Sequence, residues 1–247
     1  MAEKRDISAN ARIEEALQLT AAEGFSAGCQ FVETIGDPVA VASAYNDFAQ
    51  ALYRQNKDVQ HMIEVGRRGI KYALDHADCV ERVGPAAAAK LMEIAKTISF
   101  NVGANTWPGW GDDGVEISPD QRKAGIEAAT LSLRLVNELN LGPHQIGNAH
   151  WLVAAHHVAA RCPEAALASL DEAARAFASA GDRPSEMMAR GYGALARKLC
   201  PETRAAALAE LDQVLQRLGQ EGSKAATFYQ RQIAVADQIL CSEPEGR

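Results

Sequence analysis

Apolar residues recur along most of the chain with the spacing of an amphipathic α-helix. Ile13, Ala16 and Leu17 show this spacing near the start, and Leu211 and Leu215 show it near the end. Side chains three or four positions apart share one face of a helix, whereas a half-buried strand alternates apolar and polar residues. No segment of comparable length alternates in that way. The pattern therefore predicts an all-α protein.

Prolines, caps and glycines indicate where these helices begin and end. Proline fits the first helical turn, because its missing N–H would have no partner there. Asp37 precedes Pro38, and Ser118 with Gln121 forms a capping box. Helices are predicted to begin at seven prolines: Pro38, Pro85, Pro119, Pro143, Pro163, Pro184 and Pro201. The preceding helices are predicted to stop at glycines, namely Gly36, Gly84, Gly142, Gly181 and Gly219.

Taken together, these signals predict about ten helices joined mainly by short turns. The second predicted helix is short enough to merge with its neighbour. The predicted spans are 9–23, 27–35, 38–56, 58–77, 85–104, 119–140, 143–161, 163–180, 184–199, 202–219 and 223–241.

Part of the sequence repeats itself. The segment 164–171, Glu-Ala-Ala-Leu-Ala-Ser-Leu-Asp, recurs 41 residues later as Ala-Ala-Ala-Leu-Ala-Glu-Leu-Asp, and in part 37 residues earlier as Glu-Ala-Ala-Thr-Leu-Ser-Leu. Cys162-Pro-Glu and Cys200-Pro-Glu stand 38 residues apart. A period in this range is typical of stacked supersecondary units. The repeat therefore predicts helical hairpins packed one on the next.

One unit resembles the tetratricopeptide repeat. Within residues 148–181 the small residues Ala154, Ala166 and Ala173, with Leu170, match the family's positions where paired helices touch. In the same unit, Arg161 and His157 stand where the family usually has Gly and Tyr. A second, weaker match runs over 53–69, with Tyr53, Lys57 and Met62 at the family's Tyr, Gly and Ala positions.

The resemblance implies a right-handed α-α superhelix of about four to five stacked hairpins with terminal capping helices. It implies a single domain over 1–247, with N-terminal capping helices in 1–37, repeat hairpins in 38–219 and a C-terminal capping helix and tail in 220–247.

Charge and composition exclude several classes of function. The net charge of −7 would repel a phosphate backbone, and Arg67, Arg68 and Lys71 are interpreted as a solvated helix face. The longest apolar run, 151–160, is interrupted by two histidines, so no membrane span is expected. Five scattered cysteines without a Cys-x-x-Cys pair suit a cytoplasmic protein. We therefore expect no nucleic acid, no membrane and no cofactor.

A long loop, residues 105–118, interrupts the second predicted hairpin. Long loops in compact helical domains are usually functional or disordered, and two tryptophans argue against disorder. In one interpretation Trp107 and Trp110 line a groove while Asp112, Asp113 and Glu116 hold a cation or a basic partner. In the other, which we favour, the tryptophans pin the loop to the helices and the acidic residues are solvated.

Three histidines are the best candidates for chemistry. His150 and His157 stand seven apart and share a helix face, but helical metal ligands normally stand four apart, so no metal site is predicted. Gly191-Tyr-Gly193 matches the glycine spacing of a dinucleotide-binding motif, but no strand precedes it, so no dinucleotide site is predicted. No nucleophile elbow or P-loop occurs, and no catalytic residue is nominated.

The sequence thus predicts a protein-interaction scaffold that binds a peptide or protein in a concave groove lined by the first helix of each pair. The alternatives are an enzyme or small-molecule-binding protein with a pocket under the Trp107–Glu116 loop near His150 and His157, and a homodimer formed through the final helix. The expected partner-binding residues are Asn46, Gln50, Tyr53, Asn101, Asn105, Trp107, Trp110, Asp112, Asp113, His150, Trp151, His157 and Arg190.

Overall fold

The structure is a computed structural model that describes residues 9–241; the ends of the predicted capping segments, 1–8 and 242–247, lie outside the described residues. Within that range it contains twelve α-helices, one 3₁₀ turn and no strand. The helices are α1 (Ala9–Glu23), α2 (Phe25–Glu33), α3 (Pro38–Asn56), α4 (Val59–Ala77), α5 (Val80–Val83), α6 (Pro85–Asn105), α7 (Pro119–Glu138), α8 (Pro143–Ala159), α9 (Pro163–Ser179), α10 (Arg183–Lys198), α11 (Arg204–Glu221) and α12 (Lys224–Leu240). The all-α prediction is confirmed.

Local capping explains why most helices start where the sequence predicts. Six of the seven prolines lie in the first turn of a helix. Asp37 accepts a hydrogen bond from the Ala40 N–H, and Ser118 and Gln121 form the expected capping box. These side chains satisfy N–H groups that a helix start leaves without an intrahelical acceptor.

Three boundary predictions are wrong, and one short helix was not predicted. Pro201 lies in a turn, and α11 begins only at Arg204. Gly219 lies inside α11, which instead ends at Gly222, where the left-handed φ of 73° suits glycine. The predicted 27–35 helix begins at Phe25 and stays separate from α1, because Gly24 has a φ of 92° between them. The short helix α5 was not predicted, since four residues carry no periodicity.

Contacts divide the chain into two compact units, unit 1 up to Asn105 and unit 2 from Thr106. In unit 1, α1 pairs with α2 and α3 with α4, while α3 also contacts α1 and α6. In unit 2, α8 pairs with α9 and α10 with α11, while α10 also contacts α8 and α12. We call α1, α3 and α6, and likewise α8, α10 and α12, the first helices of their units. That one domain spans both units stays a prediction.

A part-buried polar network ties three helices of unit 1 together. The Tyr45 hydroxyl donates to Oε1 of Glu33 over 2.6 Å, and Arg68 donates to the same oxygen from Nε and Nη2. Burial, and then the hydrogen bond to Glu33, raise the pKa of Tyr45. Arg68 therefore links α4 to α2, which corrects its interpretation as part of a solvated face.

Of the two glycines in Gly191-Tyr-Gly193, only Gly191 is needed for helix packing in unit 2. A Cβ on Gly191 would lie 2.6 Å from Cδ1 of Ile233, so glycine lets α10 and α12 approach closely. A Cβ on Gly193 would meet only the guanidinium of Arg197 on the same helix. Among residues 9–241, no helix is both long and apolar enough to cross a membrane.

Candidate functional site

The first helices of unit 1 line an open groove of about 540 Å³, which we call the amide groove. Its walls carry mainly amide and charged side chains from α1, α3 and α6. The lining residues are Asn10, Ile13, Glu14, Asn46, Asp47, Gln50, Ala51, Arg54, Gln55 and Asn101. The structure therefore brings together three residues that the sequence predicted for a groove, Asn46, Gln50 and Asn101.

Helical spacing explains why these side chains meet. Asn46, Gln50 and Arg54 are four residues apart on α3, so they follow one another along a single helix face. Asn101 on α6 reaches that face, and its Nδ2 donates to Oδ1 of Asn46 over 2.8 Å. Amides on two first helices are thus fixed in orientation.

The other polar side chains of the amide groove differ in whether they already have a hydrogen-bond partner. Gln55 Nε2 donates to Oε1 of Glu14 over 3.1 Å, joining α3 to α1 at one end. The side chains of Gln50 and Arg54 form no hydrogen bond or ion pair with another described residue. An amide can both donate and accept, and a guanidinium offers five N–H donors. The groove therefore presents groups suited to a polar ligand.

Two further residues predicted for the groove do not line it. Tyr53 is buried inside unit 1, because it lies on a different face of α3 from Gln50. Asn105 is the last residue of α6, and its buried Nδ2 has no hydrogen-bond partner. Position on a first helix was too coarse a criterion for these two side chains.

The long loop is anchored in unit 2 by its tryptophans. We call Trp107–Gly111 the tryptophan turn; it contains the 3₁₀ turn Pro108–Trp110. The Trp107 side chain is only 1% exposed, and its Nε1 donates to the Ala155 carbonyl oxygen over 3.0 Å. A Cβ on Gly109 would lie 2.2 Å from the Trp107 ring, so the ring folds over the glycine backbone.

An aromatic cluster surrounds this anchor. The Trp107 ring lies 5.0 Å from Trp110, 6.0 Å from Trp151 and 5.7 Å from Tyr192. These separations are those of edge-to-face and tilted packing, in which the rings fill the space between them. Asp112 and Asp113 follow the turn and are exposed. The geometry is the one expected if the tryptophans pin the loop.

Three of the four histidines of α8, namely His150, His156 and His157, face different surroundings. Burial lowers the pKa of His150; the nearby charge of Glu172 opposes this shift and that of Arg175 adds to it. Burial alone lowers the pKa of His157. His156 is buried where a Cβ on Gly125 of α7 would come within 2.6 Å of its ring. Within residues 9–241, no three His, Cys, Asp or Glu side chains are grouped so that they could hold a metal ion.

Arg190 belongs to a second groove, of about 420 Å³, between α9, α10 and α11. Its guanidinium donates to Oε1 of Glu186 from Nε and Nη2, and Arg197 forms a bidentate pair with Glu210 across the same groove. This groove lies between the first helix α10 and the helices α9 and α11, and neither His150 nor His157, with which the sequence placed Arg190, lines it.

Sequence reasoning missed two buried polar residues of unit 2. The hydroxyl of Tyr192 and both amide atoms of Gln232 are buried without hydrogen-bond partners, as is Nε1 of Trp151. Burial raises the pKa of Tyr192 well above its ordinary value. Their helical positions are apolar in pattern, so only the packing of α8, α10 and α12 could reveal them.

Comparison with known proteins adds no family. No model of a protein family matches the chain, and no curated protein matches it significantly.

Proposed function

We propose that this protein is a scaffold that binds a peptide or protein segment in the amide groove of unit 1. The observation that carries the proposal is that Asn46, Gln50 and Asn101, from two first helices, line one open polar groove. A closed apolar cavity would favour a small-molecule site, whereas an open polar groove favours a chain. The partner is then held along its length.

The chemistry of the groove suits a peptide backbone. Side-chain amides can donate to a carbonyl oxygen and accept from an N–H, which every residue except proline offers. Arg54 adds one positive charge beside the negative charges of Glu14 and Asp47, which favours partners with charges in a particular order. Affinity would come from the backbone contacts and selectivity from the charges.

We also propose that the helical pairs form a tetratricopeptide-like right-handed superhelix. In each unit a first helix contacts the next first helix as well as its own partner, as stacked hairpins do. The repeated segments lie on α7, α9 and α11, where the equivalent residues Ala129, Ala166 and Ala207 are all buried. The repeat thus supports one packing scheme used more than once.

The alternative is a helical enzyme or small-molecule receptor with its pocket beneath the Trp107–Glu116 loop. That function needs an apolar cavity on which histidine and acidic groups converge. Trp107 packs edge-to-face against Trp110 and Trp151. Asp112 and Asp113 are exposed, and they do not converge with a histidine on an apolar cavity in either of the two grooves. We therefore favour the scaffold.

Two further proposals follow from the remaining features. We propose a cytoplasmic location, because all five cysteines are free thiols. The chain could also form a homodimer through α12. Ile233 is buried within unit 2 and is not available to a second copy, so the interface would be formed by the exposed Phe228 and Ile239.

Native mass spectrometry of the protein purified gently from its source tests the scaffold proposal. A protein should be retained at fixed stoichiometry and be lost when Gln50 and Asn101 are both replaced by Ala. Asn137→Ala, an exposed position on α7, is the matched control and should retain it. Retention of the same protein by the Gln50 and Asn101 variant would contradict binding in the amide groove.

A further inference from the structure

The tryptophan turn lies across the first helices of unit 2. Trp107 donates to Ala155 of α8 and packs on Tyr192 of α10. At the other end, a Cβ on Gly111 would lie 2.7 Å from Cδ1 of Ile239 on α12. One short segment of the chain therefore contacts all three first helices of this unit.

The contacts of the turn are those by which proteins hold peptides. A large aromatic side chain enters a ring-lined space, and its one N–H donor reaches a main-chain oxygen. Gly111, with a φ of 65°, lets the backbone pass close to α12. The turn thus occupies the surface as a ligand would.

Several buried polar groups of these first helices have no hydrogen-bond partner within the described residues. Tyr192 is 0% exposed, and Trp151 and Gln232 are each 5% exposed, yet the hydroxyl, the indole N–H and the side-chain amide form no hydrogen bond. Buried polar groups are nearly always paired, because leaving one unpaired costs free energy. The turn therefore fills the surface by shape without matching its polar groups.

The position of Gln232 connects it to the turn. Gln232, Val235 and Ile239 stand at i, i+3 and i+7, so they form one stripe along α12. Val235 and Ile239 on this stripe are the side chains closest to Gly111. Phe228, one turn before Gln232, continues the stripe and is 55% exposed. The surface is thus longer than the segment that occupies it.

We propose that the first helices of unit 2 form a second peptide-binding surface, which the chain's own tryptophan turn occupies and a partner segment competes for. The partner carries an aromatic side chain in the place of Trp107 and polar groups that hydrogen-bond to Trp151, Tyr192 and Gln232. The surface is separate from the amide groove, so the two proposals stand or fall independently.

A synthetic peptide of residues 105–117 tests this proposal directly. Labelled with a fluorophore, it should bind a Trp107→Ala, Trp110→Ala variant about tenfold more tightly than the wild-type protein, whose surface is occupied. A control peptide with Ala for both tryptophans should bind neither protein. Equal affinity for variant and wild type, or for the two peptides, would overturn the proposal.

A glycine pair provides a variant that keeps both tryptophans, should the double variant fail to fold. Gly111→Val forces a side chain against Ile239, whereas Gly114→Val has a similar positive φ but meets nothing within 4 Å. Only the Gly111 variant should gain affinity for the 105–117 peptide. The same gain in both variants, or in neither, would contradict displacement of the turn from α12.

The polar part of the proposal has its own test. Peptides selected from a random displayed library on the Gly111→Val protein should retain an aromatic residue. Adding Gln232→Leu should weaken their binding about tenfold while leaving the 105–117 peptide unaffected, because that peptide leaves Gln232 unpaired. Selected peptides without an aromatic residue, or insensitive to Gln232→Leu, would overturn the assignment. Gln50→Ala in the same protein should change neither result.

Discussion

Asn101 donates from Nδ2 to Oδ1 of Asn46 over 2.8 Å, although 55 residues separate the two in sequence. The bond joins α6 to α3 within the amide groove and fixes the orientation of both side chains. A side chain that is already ordered loses less conformational entropy when a ligand binds. In the proposed scaffold, two side chains of the groove are therefore already ordered before a partner binds.

Two buried tyrosines should respond oppositely to replacement by phenylalanine. Tyr45→Phe removes the hydrogen bond to Glu33 and should lower the free energy of unfolding by about 1–2 kcal/mol. Tyr192→Phe removes a hydroxyl that has no partner and should leave stability unchanged or raise it. Urea unfolding of both variants checks the pair. Equal losses would mean that the Tyr192 hydroxyl is paired after all.

Replacing Trp107 should lower the free energy of unfolding as much as replacing a buried core aromatic residue does. Trp107→Ala removes a 1% exposed ring and a hydrogen bond, so thermal and urea unfolding should show a loss of about 3–5 kcal/mol. Trp110→Ala, at a half-buried position, should cost less, and the exposed Phe228→Ala should cost about 0.5 kcal/mol or less. A small loss at Trp107 would instead favour a loose lid over a groove.

Two lysine–aspartate pairs should differ in strength because they differ in burial. Lys198 donates to both carboxylate oxygens of Asp237 and is 19% exposed, whereas Lys71, paired with Asp75, is 76% exposed. Lys198→Ala should cost about 1–3 kcal/mol because it leaves Asp237 part-buried and unpaired. Lys71→Ala should cost about 0.5 kcal/mol or less. Losses of similar size in urea unfolding would refute this difference.

Acid should destabilise the protein through α8. Burial lowers the pKa of His150 and His157 in the folded state, so the unfolded chain takes up protons first as pH falls below 6.5, their ordinary pKa. The stability they contribute is present above that pH and is lost below it. Urea unfolding at about pH 7.5 and 5.5 should show a smaller acid loss when both are replaced by Gln. An unchanged loss would mean that neither histidine drives it.

Much of the helical fold could be predicted because it is encoded locally. Asp37 with Pro38, and Ser118 with Pro119, define helix starts through caps that depend on a few neighbouring residues. The predicted helix boundaries were wrong where local signals compete. Pro201 lies in a turn before α11 instead of in its first turn, and Gly219 lies within α11 instead of ending it. Tertiary packing decides such cases.

The candidate site was only partly predictable. Asn46 and Gln50 could be assigned to one surface because their spacing places them on one helix face. That Trp151 packs on Trp107 while His150 lies within electrostatic reach of Glu172 and Arg175 could not be predicted, because it depends on which neighbours α8 packs against. Burial of Gln232 likewise follows from how the final helix packs.

Photo-crosslinking from the amide groove, in the cells that make the protein, shows directly whether a partner binds there. A photoreactive amino acid is placed at position 50 in the groove and, as a control, at the exposed position 137 of α7. We expect one defined protein adduct from position 50 that is absent from position 137 and is lost with Asn101→Ala. No adduct from position 50, or the same adducts from both positions, would contradict a scaffold that binds its partner in this groove.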